Sequence, residues 1–502
     1  MLSAFLEDGA HFPGGYADGV IVATSEADVA EALRCTRAIL PIGAQSSLTG
    51  GATPRGETIL TTSRLNRVEA IGDDWVRVQA GVTLAELDAA LAAAGKYYPP
   101  APTFMGAFVG GTVATNAAGA ATFKYGTTRD WVRALTIVLP NGDVLDIDRS
   151  ATHASGEFEI GTHDRTIRVP VPRYRMPNVP KCSAGYFAAP DMDLIDLFIG
   201  SEGTLGIVTA VTLRVLPVRP AQCLAFVPFA DRRAALMLVR ALREAADLPV
   251  IAIEHMDARC LALLREDGID RLQGVPIPAA AAIALLVTLE LPADTTAEGA
   301  YDDIGRAREA SAPDTPLVSF CRTLDRAGVL DEVEIAVPGD AARAAQLLAV
   351  REAVPAAVNA RVGRAKQQID PRIAKTAADM IVPFDRFEEL LAFYDEEFER
   401  RGLDAAVWGH ISDGNVHPNL IPRSMADVES GKEAILAFGR EVIRMGGSPL
   451  AEHGVGRNPI KQQLLRELYG DEAIEEMRRI KRAIDPEWKL SPGVLFPREG
   501  EA

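Results

Sequence analysis

A chain of 502 residues is too long for one compact core, so two or three domains are expected. Apolar residues at 48% and charged residues at 24% fit a soluble globular protein, and no apolar run is long enough to span a bilayer. A formal charge of −17 argues against nucleic acid or an anionic membrane as the main partner, while a few local cations would still hold a small anionic substrate.

The opening MLSAFLEDGAHFPGG has no basic n-region and no long apolar h-region. A cytoplasmic location is therefore expected, with peripheral attachment to the inner face of a membrane left open. Ser25 and Asp28 form a capping box that opens a helix through EADVAEALRCTRA. ILPIG reads as a buried strand and leads into the loop AQSSLTGGATPRG. DWVRVQAG is strand-like. Thr83 and Glu86 cap a second helix, which Gly95 stops. GAFVGGTVATNAAGAATFKYG is rich in Gly, Ala and Thr and too long for a plain turn. RALTIVLPNGDVLDID reads as a hairpin around Asn141-Gly142. Residues 150–190 are Pro-rich and read as an inserted surface loop. DLFIGSEGTLGIVTAVTLRVLP adds a further glycine turn and a β-branched strand.

After Pro220 the rhythm changes. CLAFVPF, DRRAALMLVRALREAA and PVIAIEHMD form a β-α-β unit. Strand-like runs recur at AAIALLVTLE, ADMIVP and AAVWGHI, and helices fall at about 340–360, 385–401 and 431–445. The pattern fits an antiparallel sheet with helices on one face. In the tail, Asn458-Pro459 starts a helix that Gly470 stops, and a second helix carries Ile474, Met477, Ile480 and Ile484. The cysteines Cys35, Cys182, Cys223, Cys260 and Cys321 are scattered, with no C-x-x-C pair. Reduced thiols are expected, and redox chemistry would need an organic cofactor.

Three glycine loops each lie beside a strand: PIGAQSSLTGG, Gly106–Gly126 and Gly200–Gly206. Each offers exposed backbone N–H groups that can wrap an anion. None is a Walker loop or a G-x-G-x-x-G fingerprint. Together, PIGAQSSLTGG, VGGTVATNAAG…KYGTTRDWV and GSEGTLGIVT resemble the FAD-binding segments of the vanillyl-alcohol oxidase superfamily. Their order and spacing resemble its D-2-hydroxyacid dehydrogenase branch, which includes D-lactate dehydrogenases and glycolate oxidase flavoprotein subunits.

The resemblance implies an α+β fold: a vanillyl-alcohol-oxidase-type FAD-binding domain plus an antiparallel-sheet substrate domain with helices on one face. It places the FAD domain at 1–220, a substrate and metal domain at 221–455, and C-terminal helices at 456–502 that return to the FAD domain. The cofactor residues it implies are Pro41, Gly43, Ala44, Gln45, Ser46, Ser47 and Gly50 in the first loop. The second loop supplies Gly110, Gly111, Thr112, Thr115, Asn116, Gly119, Tyr125 and Gly126. The third supplies Glu202, Gly203, Gly206 and Ile207. Gln45-Ser46 stands where the family usually has Gly-Thr, and Ser491-Pro492-Gly493 where Asn-Pro-Gly is common. Neither departure removes a backbone donor. With no histidine in the first loop, non-covalent FAD is expected.

GHISDGNVHPNLI carries two of the chain's seven histidines. A two-residue turn at Asp413-Gly414 would set Ser412 opposite Asn415, Ile411 opposite Val416, and His410 opposite His417. Directly opposed residues have Cβ atoms about 4.5–5.5 Å apart. Both imidazoles would then share one face at a separation that one metal ion can bridge. By itself the hairpin also allows two polar residues beside a tight turn. The resemblance implies the metal site, with Glu452 of PLAEHGVGRNP as third ligand to His410 and His417. Two histidines and a carboxylate leave coordination positions open, which suits zinc, with manganese or iron as alternatives.

The same resemblance implies His453 as general base and Arg351 of LLAVREAV as the carboxylate-binding arginine, although Leu348 stands where the family has Trp. It also implies Asn419 as a substrate contact. Family members specific for dicarboxylates carry a lysine where Ala377 stands here, so a small D-lactate-like or glycolate-like acid is the expected substrate. Rival readings are a phenol or sugar-lactone oxidase of the same superfamily and a non-catalytic flavin-binding subunit. The electron acceptor, whether a quinone, a cytochrome or an electron-transfer flavoprotein, stays open, as does a homodimer.

Overall fold

The computed structural model describes residues 2–100, 104–152 and 156–497. The chain forms two compact units. One comprises Met1–Gly119, Tyr125–Pro217 and Ser448–Ala502, and the other Ala120–Lys124 with Val218–Gly447.

In the first unit the Ser25 hydroxyl accepts the Asp28 N–H and the Asp28 carboxylate accepts the Ser25 N–H. The helix Glu26–Cys35 that follows buries Val29, Ala30, Ala32 and Leu33. The strand Ile39–Ile42 then joins a three-stranded parallel sheet, with Thr58–Thr61 at its centre and Gly19–Val22 at the far edge. A five-stranded antiparallel sheet follows in the order Val68–Ile71, Trp75–Gln79, Ile207–Arg214, Val132–Val138, Val144–Asp148. Its last two strands turn at Asn141-Gly142, where Gly142 takes a φ of +83° that a side chain would resist.

The described residues of the stretch 150–190 are not the surface loop expected from its prolines. Glu157–Gly161 and Thr166–Pro170 pair as an antiparallel hairpin. Phe158, Ile160, Ile167 and Val169, alternating along its two arms, are buried in the main core of the unit. Lys181, Ala184 and Tyr186 further on are buried too. Period-two alternation was present in both arms, but each is only five residues long and flanked by turn formers.

The tail helix Pro459–Ile484 opens on Asn458, whose Oδ1 accepts the Ile460 and Lys461 N–H groups, and it breaks at Gly470. Beyond it the chain runs beside the first sheet: Ile39 N–H donates to the Lys489 carbonyl and Ser491 N–H to the Ile39 carbonyl. The buried Lys481 ammonium donates to the carbonyls of Thr204 and Leu490 and to Asp485. These bonds tie the tail to the segments that carry the first and third glycine loops.

The second unit is built on a seven-stranded antiparallel sheet. Its order is Glu334–Ala336, Ala221–Phe229, Ile283–Leu291, Val250–Asp257, Ala405–His410, Asn415–Leu420, Met380–Ile381. Ala221–Phe229 and Val250–Asp257 do form a β-α-β unit around the helix Arg232–Glu244, but Ile283–Leu291 inserts between them and runs antiparallel to both. Leu224, Phe226, Met256, Leu286 and Trp408 on one face pack with Leu261 and Leu264 of the helix Ala258–Glu266 and with Leu347, Val350 and Val354 of the helix Ala341–Gln368. The helix Met425–Arg444 begins earlier than the expected 431, because Ser424 caps it by accepting the Asp427 N–H.

Candidate functional site

The first and third glycine loops and the Gly106–Gly119 part of the second meet inside the first unit. A Cβ placed on Gly43 would lie 3.6 Å from Phe108 and 3.9 Å from the Gly111 Cα, so the first two loops are in contact. Gly200 N–H donates to the Val113 carbonyl and Glu202 N–H to the Ala114 carbonyl, joining the third loop to the second. A Cβ on Gly203 would strike Pro41 at 2.7 Å, joining the third to the first. Gly111 faces open space: beyond its own helix and chain neighbours, no atom of the described residues lies within 4 Å of where its Cβ would stand.

Each loop also holds one non-glycine residue in the left-handed region: Gln45 at φ +55°, Asn116 at +47° and Glu202 at +52°. Such backbone costs roughly 1–3 kcal/mol per residue and persists where its surroundings enforce it, most often at functional sites. Convergent loops, open space at a glycine and strained residues together fit a long anionic cofactor. Asp8 supports the first loop by accepting the Gly50 N–H, a contribution with no local sequence signal. Thr112 and Thr115 hydroxyls donate to their own helix, at the carbonyls of Val109 and Gly111.

Glu202 has a role the sequence did not show. Its two carboxylate oxygens accept the backbone N–H groups of Val455 and Gly456 at 2.7 and 2.9 Å. Gly454 and Gly456 take φ of +73° and +57°, and side chains there would meet Glu202 and Thr49. Glu202 therefore shapes the segment that carries Glu452 and His453. Burial pushes its carboxyl up to about 7, against the opposing pull of those two N–H groups. Glu452 itself pairs with the buried Lys181 ammonium at 3.4 Å. Lys181 lies in the stretch read as a loop, so no local signal marked it out.

In the second unit the histidine hairpin differs from expectation in register. Trp408, not His410, opposes His417, and Ala406 opposes Asn419. The turn is a four-residue loop, Ile411 to Gly414, closed by bonds from Asp413 N–H to the His410 carbonyl and from Gly414 N–H to the Ile411 carbonyl. Gly409 makes this possible. At φ +152° it crosses the partner strand so closely that a Cβ would lie 2.6 Å from the Asn415 carbonyl oxygen. The shift moves each strand by one residue, so parity is kept and the histidines stay on one face. Their ring centroids are 5.6 Å apart and nearly perpendicular.

Each histidine meets a carboxylate at Nδ1. His410 Nδ1 bonds Glu254 Oε1 at 3.1 Å, and His417 Nδ1 lies 3.4 Å from Asp379 Oδ1. Asn415 orients Asp379 by donating Nδ2 to it at 2.9 Å. A carboxylate on Nδ1 selects the tautomer whose Nε2 carries the lone pair, the arrangement found around metal-ligating imidazoles. Burial pushes the Glu254 carboxyl up, but Arg351 and His410 outweigh it and hold the group well below the usual carboxylate range. Arg351 Nε donates to Glu254 at 2.8 Å. Asn419 is buried, donates Nδ2 to the His417 carbonyl, and keeps Oδ1 without a hydrogen-bond partner among the described residues. Thus His410, His417, Arg351 and Asn419 belong to the second unit, whereas Glu452 and His453 belong to the first. Glu254, Asp379 and Asn415 were missed. The only available signals were acidic residues inside the apolar runs VIAIEHMD and ADMIVP.

A mixed-sheet unit with converging strained glycine loops, joined in one chain to an antiparallel unit with a carboxylate-buttressed histidine pair, defines a flavoprotein oxidoreductase. Residues 17–148 match the FAD binding domain, and residues 218–495 match the C-terminal domain of FAD linked oxidases. The chain belongs to the FAD-linked oxidase family, is an FAD-dependent enzyme, and has the vanillyl-alcohol-oxidase type of fold. It is 27% identical to a D-lactate dehydrogenase of Anaerostipes hadrus, covering 95% of this chain and 89% of that one. It is 29% identical to a D-2-hydroxyglutarate dehydrogenase of Xanthomonas citri, covering 91% and 84%. It is 30% identical to an uncharacterised FAD-linked oxidoreductase of Mycobacterium tuberculosis, covering 91% and 86%. Among solved structures, an alkyldihydroxyacetonephosphate synthase superposes with a TM-score of 0.61 at 16% identity, covering 95% of this chain and 76% of that one, which shows a shared fold. Among the described residues, no helix is long and apolar enough to cross a membrane.

Proposed function

We propose that the protein oxidises a small D-2-hydroxy acid, of the size of D-lactate or glycolate, to the 2-oxo acid. Names of relatives that act on D-lactate and D-2-hydroxyglutarate support the substrate class. The observation that carries the metal-assisted form is the histidine pair, with His410 Nδ1 bonded to Glu254 and His417 Nδ1 lying 3.4 Å from Asp379. His410 and His417, with Glu452 as implied by family resemblance, would hold a divalent ion, most simply zinc. Such an ion lowers the pKa of a coordinated hydroxyl. FAD held by the three glycine loops would supply the hydride acceptor.

The chain's own residues perform the remaining work. Arg351 grips the substrate carboxylate with its terminal nitrogens while Nε stays on Glu254. Asn419 offers its buried Oδ1 as an acceptor to the substrate. His453 takes the hydroxyl proton, as suits an imidazole near neutral pH. Ala377 bridges Asn419, so this position supplies no cation for a second carboxylate, which favours a monocarboxylate. The first unit holds the flavin, the second binds substrate, and a separate carrier removes the electrons.

Anaerobic flavin bleaching against D- and L-2-hydroxy acids, with and without chelator, tests this. Bleaching by D-acids that chelator abolishes is expected. Bleaching by L-acids alone, or by phenols or sugar lactones without any metal requirement, would replace this reading.

A further inference from the structure

Glu254 is a charged residue in the central strand Val250–Asp257, where desolvation penalises a carboxylate unless both oxygens find partners. Both do. Oε2 accepts Arg351 Nε at 2.8 Å and Oε1 bonds His410 Nδ1 at 3.1 Å. Three elements distant in sequence meet here: the strand, the helix Ala341–Gln368, and the hairpin strand Ala405–His410. Glu254 and His410 are direct cross-strand neighbours, so the sheet itself fixes their separation. Either partner alone would leave one oxygen desolvated.

We propose that Glu254 is a positioning residue that couples the substrate-binding arginine to the metal-binding histidine, by holding His410 in the Nδ1–H tautomer while it anchors the Arg351 fork. The inference rests on the function proposed above. Its chemistry is specific. A carboxylate accepts from both partners. A glutamine of the same shape has one accepting oxygen and one donating nitrogen. With its oxygen kept on Arg351 Nε, its amide N–H must point at His410 Nδ1, which then has to accept. The proton moves to His410 Nε2, the nitrogen that would otherwise present the lone pair. Glu254→Gln thus inverts the tautomer with almost no change in volume.

The test uses the full chain loaded with FAD. Zinc affinity is read by competition with a chromophoric chelator, and imidazole tautomers by nitrogen-15 NMR of histidine-labelled, metal-free protein. Loss of an oriented partner to a ligating histidine typically weakens metal binding about 10–100-fold. Glu254→Gln is expected to show that loss, to move His410 from the Nδ1–H to the Nε2–H form, and to keep its flavin absorbance. A role in folding alone would not move the tautomer. Glu254→Asp keeps the charge but falls short by one methylene. It should weaken zinc less than Gln does and keep the Nδ1–H form, and it supplies the reading should the Gln variant fail to fold. Zinc affinity within about twofold of wild type in both variants, or an unchanged tautomer in Glu254→Gln, overturns the coupling while leaving the proposed function intact. Absence of zinc binding in the wild type overturns both.

Discussion

Replacing Glu202 by alanine removes the carboxyl that meets the Val455 and Gly456 N–H groups. The assay belongs at pH 6, below the group's own pKa of about 7, so that no buried charge is deleted with the hydrogen bonds. Each donor left without its acceptor costs about 1–3 kcal/mol, and water entering the vacated space returns part of that, so a net loss of about 2–4 kcal/mol is expected. Alanine keeps a left-handed backbone at this position, at φ +52°, so no strain is relieved. At roughly 1–2 °C per kcal/mol for a chain of this size, the melting temperature should fall by about 2–8 °C. Thermal unfolding followed by release of flavin fluorescence reads the shift. A melting temperature within about 1 °C of wild type would show that these two bonds do not hold the Glu452–His453 segment.

The same carboxyl yields a pH dependence. Its folded pKa of about 7 lies above its ordinary 4.5, so the folded chain binds the proton more tightly. The stability it contributes is complete below about pH 4.5 and is lost as pH rises through 7, a swing of about 3 kcal/mol at most. Glu202→Gln should flatten that part of the stability curve, and a curve parallel to wild type between pH 5 and 8 would contradict the assignment. Gly409→Ala places a methyl group 2.6 Å from the Asn415 carbonyl oxygen at a φ of +152°. A loss of about 2–5 kcal/mol and displacement of His410 are expected, seen as lower melting temperature and lower bound zinc; unchanged values would mean the hairpin tolerates another register. Lys481→Met leaves Asp485 and the carbonyls of Thr204 and Leu490 without their cation. About 3–5 kcal/mol should be lost, with weaker flavin retention because Thr204 lies in the third glycine loop. Full retention of yellow colour after gel filtration would separate Lys481 from the flavin loops.

Local chemistry accounts for what was legible in the chain alone. The capping residues Ser25 and Thr83, the turn at Asn141-Gly142 and the break at Gly470 act within a few residues of themselves, so they can be read directly. The shared face of His410 and His417 was also determined locally, because it depends only on parity along two strands. Their register was not, since it turned on the close crossing at Gly409. The buried hairpin at 157–170 was hidden for a related reason: its alternation is short, and only the core it packs against makes it decisive.

The partners of the chemical groups were decided by tertiary structure alone. Glu254 reaches Arg351 across 97 positions of sequence and His410 across 156, while Glu202 reaches Val455 across 253. A carboxylate's role depends on which donors surround it, and those donors arrive from elements that only folding brings together. Sequence determined that flavin loops and a histidine hairpin exist. The packed sheet decided which acidic side chains hold them in working orientation.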